Sequence, residues 1–183
     1  NIIMRQNINP KPELLAPAGN LKMLNAAIHN GADAVYFGLD KFNMRAKANN
    51  FNPDNLASTI ALCHENNVKA HLTLNSIIYE NELSELENTV LLAKESGIDL
   101  IICWDMAVIS LCVKYGVPFC ISTQASISNS LSANYFANLG ADRIVLAREC
   151  TLEQIKEIRK NTNVQIESFI HGAMCIAISG RCF

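Results

Sequence analysis

The chain has 183 residues, half of them hydrophobic and 17% charged, with a formal net charge of −2; that is apolar material for one sizeable core and too little length for two typical domains. The near-neutral balance excludes a generally basic nucleic-acid-binding surface, so RNA binding would need a local Arg and Lys patch or a further domain. No run of about 18 uncharged apolar residues occurs to cross a membrane, and the N-terminus lacks the residue order of a signal peptide, which leaves the cytoplasm as the default location.

One unit then repeats along the chain: a short apolar run, an amphipathic stretch, a Gly or Asn, and the next apolar run. Residues 1–12 read as a loose polar arm. The pattern predicts strands near Glu13–Ala16, Ala34–Gly38, Lys69–Asn75, Asp99–Asp105, Pro118–Gln124, Arg143–Glu149 and Val164–His171. Helices are predicted between them, near Leu21–His29, Asp54–Asn66, Glu82–Glu95, Met106–Tyr115, Ser130–Asn138 and Leu152–Arg159. Asn20 and the Asn52-Pro53-Asp54 run mark helix starts, as a capping side chain and a proline in the first turn do. Three junctions are alike: Gly31-Ala32-Asp33, Gly97-Ile98-Asp99 and Gly140-Ala141-Asp142. Each places a glycine where a helix ends in a left-handed residue just before a strand.

The strands are near-continuous apolar runs, as in a parallel sheet covered on both faces. Strict β-α alternation leaves an open doubly wound sheet or a closed barrel. The first turn, Ala16-Pro17-Ala18-Gly19-Asn20, is no dinucleotide loop, and seven strands favour the barrel. The fold expected for residues 13–183 is therefore α/β, a (β/α)₈ TIM-type barrel that stops after its seventh strand, one βα pair short of the usual about 250 residues.

A barrel carries its chemistry at the C-terminal ends of its strands. Those ends offer Asn20, Arg45, Asn75, Asp105, Thr123, Gln124, Arg148, Glu149, His171, Cys175, Ser179, Arg181 and Cys182. A single polar residue after a strand is ordinarily a helix cap; convergence from seven segments is harder to dismiss. Asp105, Glu149 and His171 are candidate proton-transfer groups. Asn75, Thr123 and Gln124 can orient a substrate by hydrogen bonds. Arg45, Arg148 and Arg181 are candidate cations for paired carboxylates or phosphates, unless they pair with resident acids such as Glu149 or Glu167. Neither His-Glu-x-x-His nor Gly-x-Ser-x-Gly occurs. A triad of Ser179 or Cys175 with His171 and Asp105 can be assembled on paper, as at any barrel mouth. His29 and His64 fall near helix C-termini, and His71 in mid-strand reads as a core residue. The seven cysteines, an odd number spread through apolar segments, do not suggest a disulfide framework. Cys63, Cys103, Cys112, Cys120 and Cys150 are expected to act as small hydrophobes. Cys175 and Cys182, spaced Cys-x₆-Cys around Ser179-Gly180-Arg181, could be ordinary thiols or half of a four-thiolate iron–sulfur set.

Several segments carry a resemblance, in order along nearly the whole chain. They are Glu13-Leu14-Leu15-Ala16-Pro17-Ala18-Gly19-Asn20; Gly31 to Gly38 with Phe42, Arg45 and Asn50-Phe51; Ser122-Thr123-Gln124; and Leu146-Ala147-Arg148-Glu149. The most specific is Glu167-Ser168-Phe169-Ile170-His171-Gly172-Ala173-Met174-Cys175 leading to Ser179-Gly180-Arg181-Cys182. This is similar to the signature of peptidase family U-32, historically called collagenase-like peptidases. The resemblance implies two kinds of activity. One is proteolysis of unassigned catalytic type. The other is hydroxylation, including prephenate-dependent hydroxylation of the tRNA wobble uridine, hydroxylation of a ribosomal RNA cytidine, and oxygen-independent ubiquinone synthesis. In several members four cysteines hold a 4Fe-4S cluster, and Cys175 and Cys182 match two of them. The expectation is a hydroxylation-type protein acting on tRNA with a small dianionic donor such as prephenate. A peptidase with a protein substrate is the alternative, and a non-catalytic cluster-holding subunit a third.

Overall fold

The computed structural model describes residues 11–44, 51–172 and 177–180. Seven strands alternate with six helices: β1 (Leu15–Pro17), α1 (Leu21–His29), β2 (Ala34–Gly38), α2 (Pro53–Glu65), β3 (Lys69–Leu74), α3 (Leu83–Glu95), β4 (Leu100–Cys103), α4 (Met106–Tyr115), β5 (Phe119–Ile121), α5 (Ser130–Asn138), β6 (Arg143–Val145), α6 (Leu152–Lys160) and β7 (Gln165–Glu167). Helix starts are set locally. The side chains of Asn20, Asp105 and Asn129 accept from the backbone N–H groups of Met23, Ala107 and Ser132. Reciprocal capping boxes join Asn52 to Asn55 and Thr151 to Gln154. Each cap satisfies N–H groups that the helix itself leaves unbonded.

All six strand pairings are parallel and the sheet runs β1-β2-β3-β4-β5-β6-β7. Parallel crossovers are right-handed, so an unreversed order puts every helix on one face. The opposite face is then covered only if the sheet curls upon itself. Two separate apolar layers show that it does. Leu24, Leu56, Ile60, Leu86, Val90, Val108 and Ile109 from the helices pack on Val35, Leu72, Ile101 and Ile144. Tyr36, Leu100, Ile102, Cys120 and Val145 form a second cluster on the other face, the lumen of the incomplete barrel. No helix among the described residues is long and apolar enough to cross a membrane.

The three glycine junctions have the left-handed backbone expected of them, with φ of +83° at Gly31, +82° at Gly97 and +103° at Gly140. The aspartates that follow do work that spacing does not reveal. Asp33 accepts from Leu14 N at 2.8 Å, Asp99 from Ala70 N at 2.7 Å and Asp142 from Phe119 N at 3.1 Å. Each carboxylate thus ties the chain entering one strand to the N-terminal end of the strand before it. At that same end of the barrel, Arg143 of β6 reaches across the lumen to Glu13 at 2.8 Å and Glu167 of β7 at 3.2 Å, and Lys69 of β3 holds the other Glu13 oxygen at 2.7 Å.

The strands are shorter than their apolar runs. The sequence predicts β5, β6 and β7 as far as Gln124, Glu149 and His171, but pairing ends at Ile121, Val145 and Glu167. Beyond those points the chain leaves the sheet. Thr123–Ala125 turns into a 3₁₀ helix, and Leu146 meets Ile127 in an isolated bridge.

Candidate functional site: the mouth of the barrel

Asn75, Asp105, Thr123, Gln124, Arg148, Glu149 and His171 all follow the C-terminal ends of parallel strands and share one rim. Arg45, Cys175, Arg181 and Cys182, the other four sequence candidates, lie outside the described residues.

Asn75 and Gln124 form the centre. The Gln124 amide donates to the Asn75 carbonyl at 2.8 Å and contacts the Met44 sulfur. Its oxygen accepts from Ser122 at 2.5 Å and from the Asn75 amide at 3.4 Å. Asn75 Oδ1 accepts from Met44 N at 3.2 Å, and the Trp104 indole N–H donates to the Asn75 carbonyl at 2.9 Å. Four strand ends are thereby locked into one half-buried polar platform, with both amides oriented by the network. Trp104 and Met44 were not among the sequence candidates. Trp104 occupies the alternate position after Leu100 and Ile102, so strand periodicity could have pointed it at the lumen.

The second feature is the loop Ala177–Gly180, which sits on the turns after β5 and β6. Ser179 N donates to Glu149 Oε1 at 2.8 Å, and Ser179 Oγ accepts from Arg148 N at 3.1 Å and from Arg148 Nε at 3.3 Å. The Arg148 fork also donates to the Ala177 carbonyl at 2.8 Å. Thr123 Oγ1 lies 3.5 Å from Ser179 Oγ, and the Ser126 hydroxyl donates to the Ser179 carbonyl. Ser126 has φ +51°, which aims its side chain there. Gly180 has φ +75°, and a Cβ on it would come within 2.4 Å of the Gln124 carbonyl oxygen. Only glycine lets the two backbones approach so closely.

This geometry gives definite roles to three candidates. The Glu149 carboxylate is held below its ordinary pKa, chiefly by the Ser179 N–H, then by its own backbone N–H; a carboxylate so stabilised is a loop anchor and a poor proton acceptor. Arg148 grips the same loop. Asp105 caps α4 through Ala107 N at 2.8 Å and accepts from Ile78 N at 3.2 Å, which fixes the β3–α3 connection. His171 is exposed on the rim. Ser179 is only 2% exposed, and none of its hydrogen bonds given above reaches a histidine.

No group of three or more His, Cys, Asp or Glu side chains among the described residues could hold a metal ion. Cys63, Cys103, Cys112 and Cys120 are buried, while Cys150 is half-buried. Burial pushes the Cys63 thiol up to about 11 and raises the Cys120 thiol; the Cys103 thiol is raised by its hydrogen bond with Cys112 and by burial. Such thiols are inert core groups.

Known proteins resemble this chain in sequence and fold. A chain of 40% identity, the tRNA hydroxylation protein P1 of Bacillus subtilis, matches 96% of this chain and 42% of its own length. A collagenase of Porphyromonas gingivalis is 37% identical over 93% of this chain and 44% of its own. A 23S rRNA 5-hydroxycytidine synthase of Escherichia coli is also 37% identical, over 93% of this chain and 26% of its own. The chain thus spans less than half the length of these curated relatives. Among solved structures, the U32 peptidase Mk0906 superposes with a TM-score of 0.70 at 13% identity, over 85% of this chain and 67% of that one, which is a likeness of fold. The family model described as peptidase family U32 matches residues 19–183. With the β7 signature, the parallel barrel and these identities in agreement, the chain belongs to peptidase family U32.

Proposed function

We propose that the protein acts in RNA hydroxylation, on the tRNA wobble uridine or a related base, with a small dianionic donor such as prephenate. The observation that carries this reading is the state of Ser179. Its hydroxyl is buried and takes N–H donors from Arg148, so it has neither the access nor the base that a peptidase nucleophile needs. The mouth offers instead a preorganised surface of amides and a hydroxyl at Asn75, Thr123 and Gln124. Chemistry on a nucleobase requires the base to leave its stack and enter a pocket read by hydrogen bonds, and this surface suits that task. The names of the Bacillus subtilis and Escherichia coli relatives support the same reading. With Arg148 engaged in holding the loop, Arg45 and Arg181 are the cations this reading assigns to the carboxylates of the donor.

In this reading Cys175 and Cys182 supply two of the four thiolates of a 4Fe-4S cluster, which would provide redox chemistry when bound. This chain's own contribution is to hold the loop between the two cysteines: Arg148, Glu149, Thr123 and Ser126 all fasten Ser179.

The Porphyromonas gingivalis relative favours a second reading, a collagenase-like peptidase. Both are tested together in a host lacking the intact protein and complemented with wild type, Gln124→Ala, Cys175→Ser or Cys182→Ser. Mass spectrometry of digested tRNA and rRNA is expected to show a hydroxylated nucleoside with wild type only, and iron and acid-labile sulfide are expected to be lost from either cysteine variant. Unchanged RNA in all strains, with gelatin cleavage by the purified protein that His171→Ala removes and Cys175→Ser does not, would establish the peptidase instead.

A further inference from the structure

Trp104 is the single tryptophan of the chain, and its surroundings are unusual for so large an aromatic side chain. It is half-buried, yet it packs against neither apolar cluster of the barrel. Among the described residues no other ring and no cation is stacked on it. Its position is nevertheless fixed. Trp104 follows Leu100 and Ile102 of the lumenal cluster at the alternate spacing of a strand, just past the end of β4, which aims it at the mouth. The indole N–H donates to the Asn75 carbonyl at 2.9 Å, and that oxygen also accepts from the Gln124 amide at 2.8 Å. Two donors that share one acceptor stand within two hydrogen-bond lengths of each other, so the edge of the ring borders the amide platform. An indole whose polar tip is satisfied presents only its apolar plane to a ligand.

We propose that Trp104 is the stacking platform for the target base: an unpaired nucleobase of the RNA lies on the indole plane while its edge meets Asn75 and Gln124. The inference rests on the RNA reading given above and assigns the group that supplies affinity at that site. Hydrogen bonds to a base replace hydrogen bonds to water and add little net binding. Long-range attraction of phosphates is small at a net charge of −2, and Arg148 is engaged with the Ala177–Gly180 loop. Stacking on an aromatic plane needs neither, since every base has a π-face. Preference among bases then falls to the amides beside the ring. Two further aromatic side chains, Tyr79 after β3 and Phe169 after β7, are exposed on the same rim. They offer surfaces to neighbouring bases only when those bases are unpaired, which selects a single-stranded loop over a duplex.

The test uses the intact protein and an unmodified transcript of a tRNA anticodon stem–loop, with the same loop paired to a complementary strand as control. The indole emission, taken as the signal that Trp104→Phe lacks, is expected to be quenched by the stem–loop and unchanged by the duplex. Trp104→Leu, apolar but without a ring, is expected to weaken stem–loop binding by about 5- to 150-fold, the range of one base on one aromatic side chain, whereas Trp104→Phe keeps most of it. Thermal melting checks the fold of both variants, and the wild-type quenching decides the matter even where Trp104→Leu fails to fold. Stem–loop binding and hydroxylation without quenching, or with Trp104→Leu binding as tightly as wild type, would overturn the role of Trp104 and leave the RNA reading standing. Quenching by prephenate alone with none by RNA would overturn it as well, placing the donor on the ring. No RNA bound and no hydroxylated nucleoside in any strain would remove the RNA reading itself, and this assignment with it.

Discussion

Acidification of the barrel interior gives the sharpest test of this structure. His71 is 1% exposed, and burial in the first place, reinforced by the nearby positive charge of Arg143, lowers its pKa from 6.5 to about 4. Glu13 and Asp99 act in the opposite direction and do not compensate. The folded protein therefore keeps His71 neutral where the unfolded chain would protonate it. Between pH 6.5 and about 4 the unfolded state binds more protons, so stability falls as pH falls. The contribution is fully present above 6.5 and is lost as pH approaches 4. At 1.36 kcal/mol per pH unit that interval amounts to about 3 kcal/mol. Urea unfolding of wild type and His71→Gln at half-unit steps across the interval isolates the effect, since the other titrating groups are common to both proteins. Wild type is expected to lose about 3 kcal/mol more than the variant. Parallel curves for the two proteins would refute the account of His71 as a buried neutral imidazole.

Three other outcomes are expected. Gly180→Ala should displace the Ala177–Gly180 loop, because its Cβ would meet the Gln124 carbonyl oxygen at 2.4 Å and the backbone is left-handed; the RNA hydroxylation proposed above should fall sharply while the melting temperature moves little, and full activity would refute the tight packing. Arg143→Leu should destabilise by about 3–5 kcal/mol in denaturant unfolding, because it leaves the Glu167 carboxylate without its cation and Glu13 with Lys69 alone. Asp99→Ala should cost about 1–3 kcal/mol by leaving Ala70 N unbonded, with amide hydrogen exchange expected to quicken first at the start of β3.

The alternation of elements was legible in the sequence because its signals are local. Asn20, Asn52 and Thr151 cap helices within three residues of themselves, and Gly31, Gly97 and Gly140 answer to backbone conformation alone. The signature around His171 likewise identifies the family without coordinates, and the convergence of Asn75, Gln124 and Arg148 on one rim follows from parallel strands. Tertiary structure alone decided what those residues do there. Spacing made Glu149 a proton-transfer candidate and Arg148 a substrate cation, yet Ser179, some thirty residues further along the chain, turns both towards holding a loop. Asp33, Asp99 and Asp142 look like loop residues until each is seen bonding the end of the preceding strand. Arg143 reads as the polar start of a strand, but barrel curvature brings Glu13 from the far edge of the sheet to meet it. Periodicity and capping depend on neighbours in the chain, whereas the partner of a charge is set by closure of the fold, which no local pattern encodes.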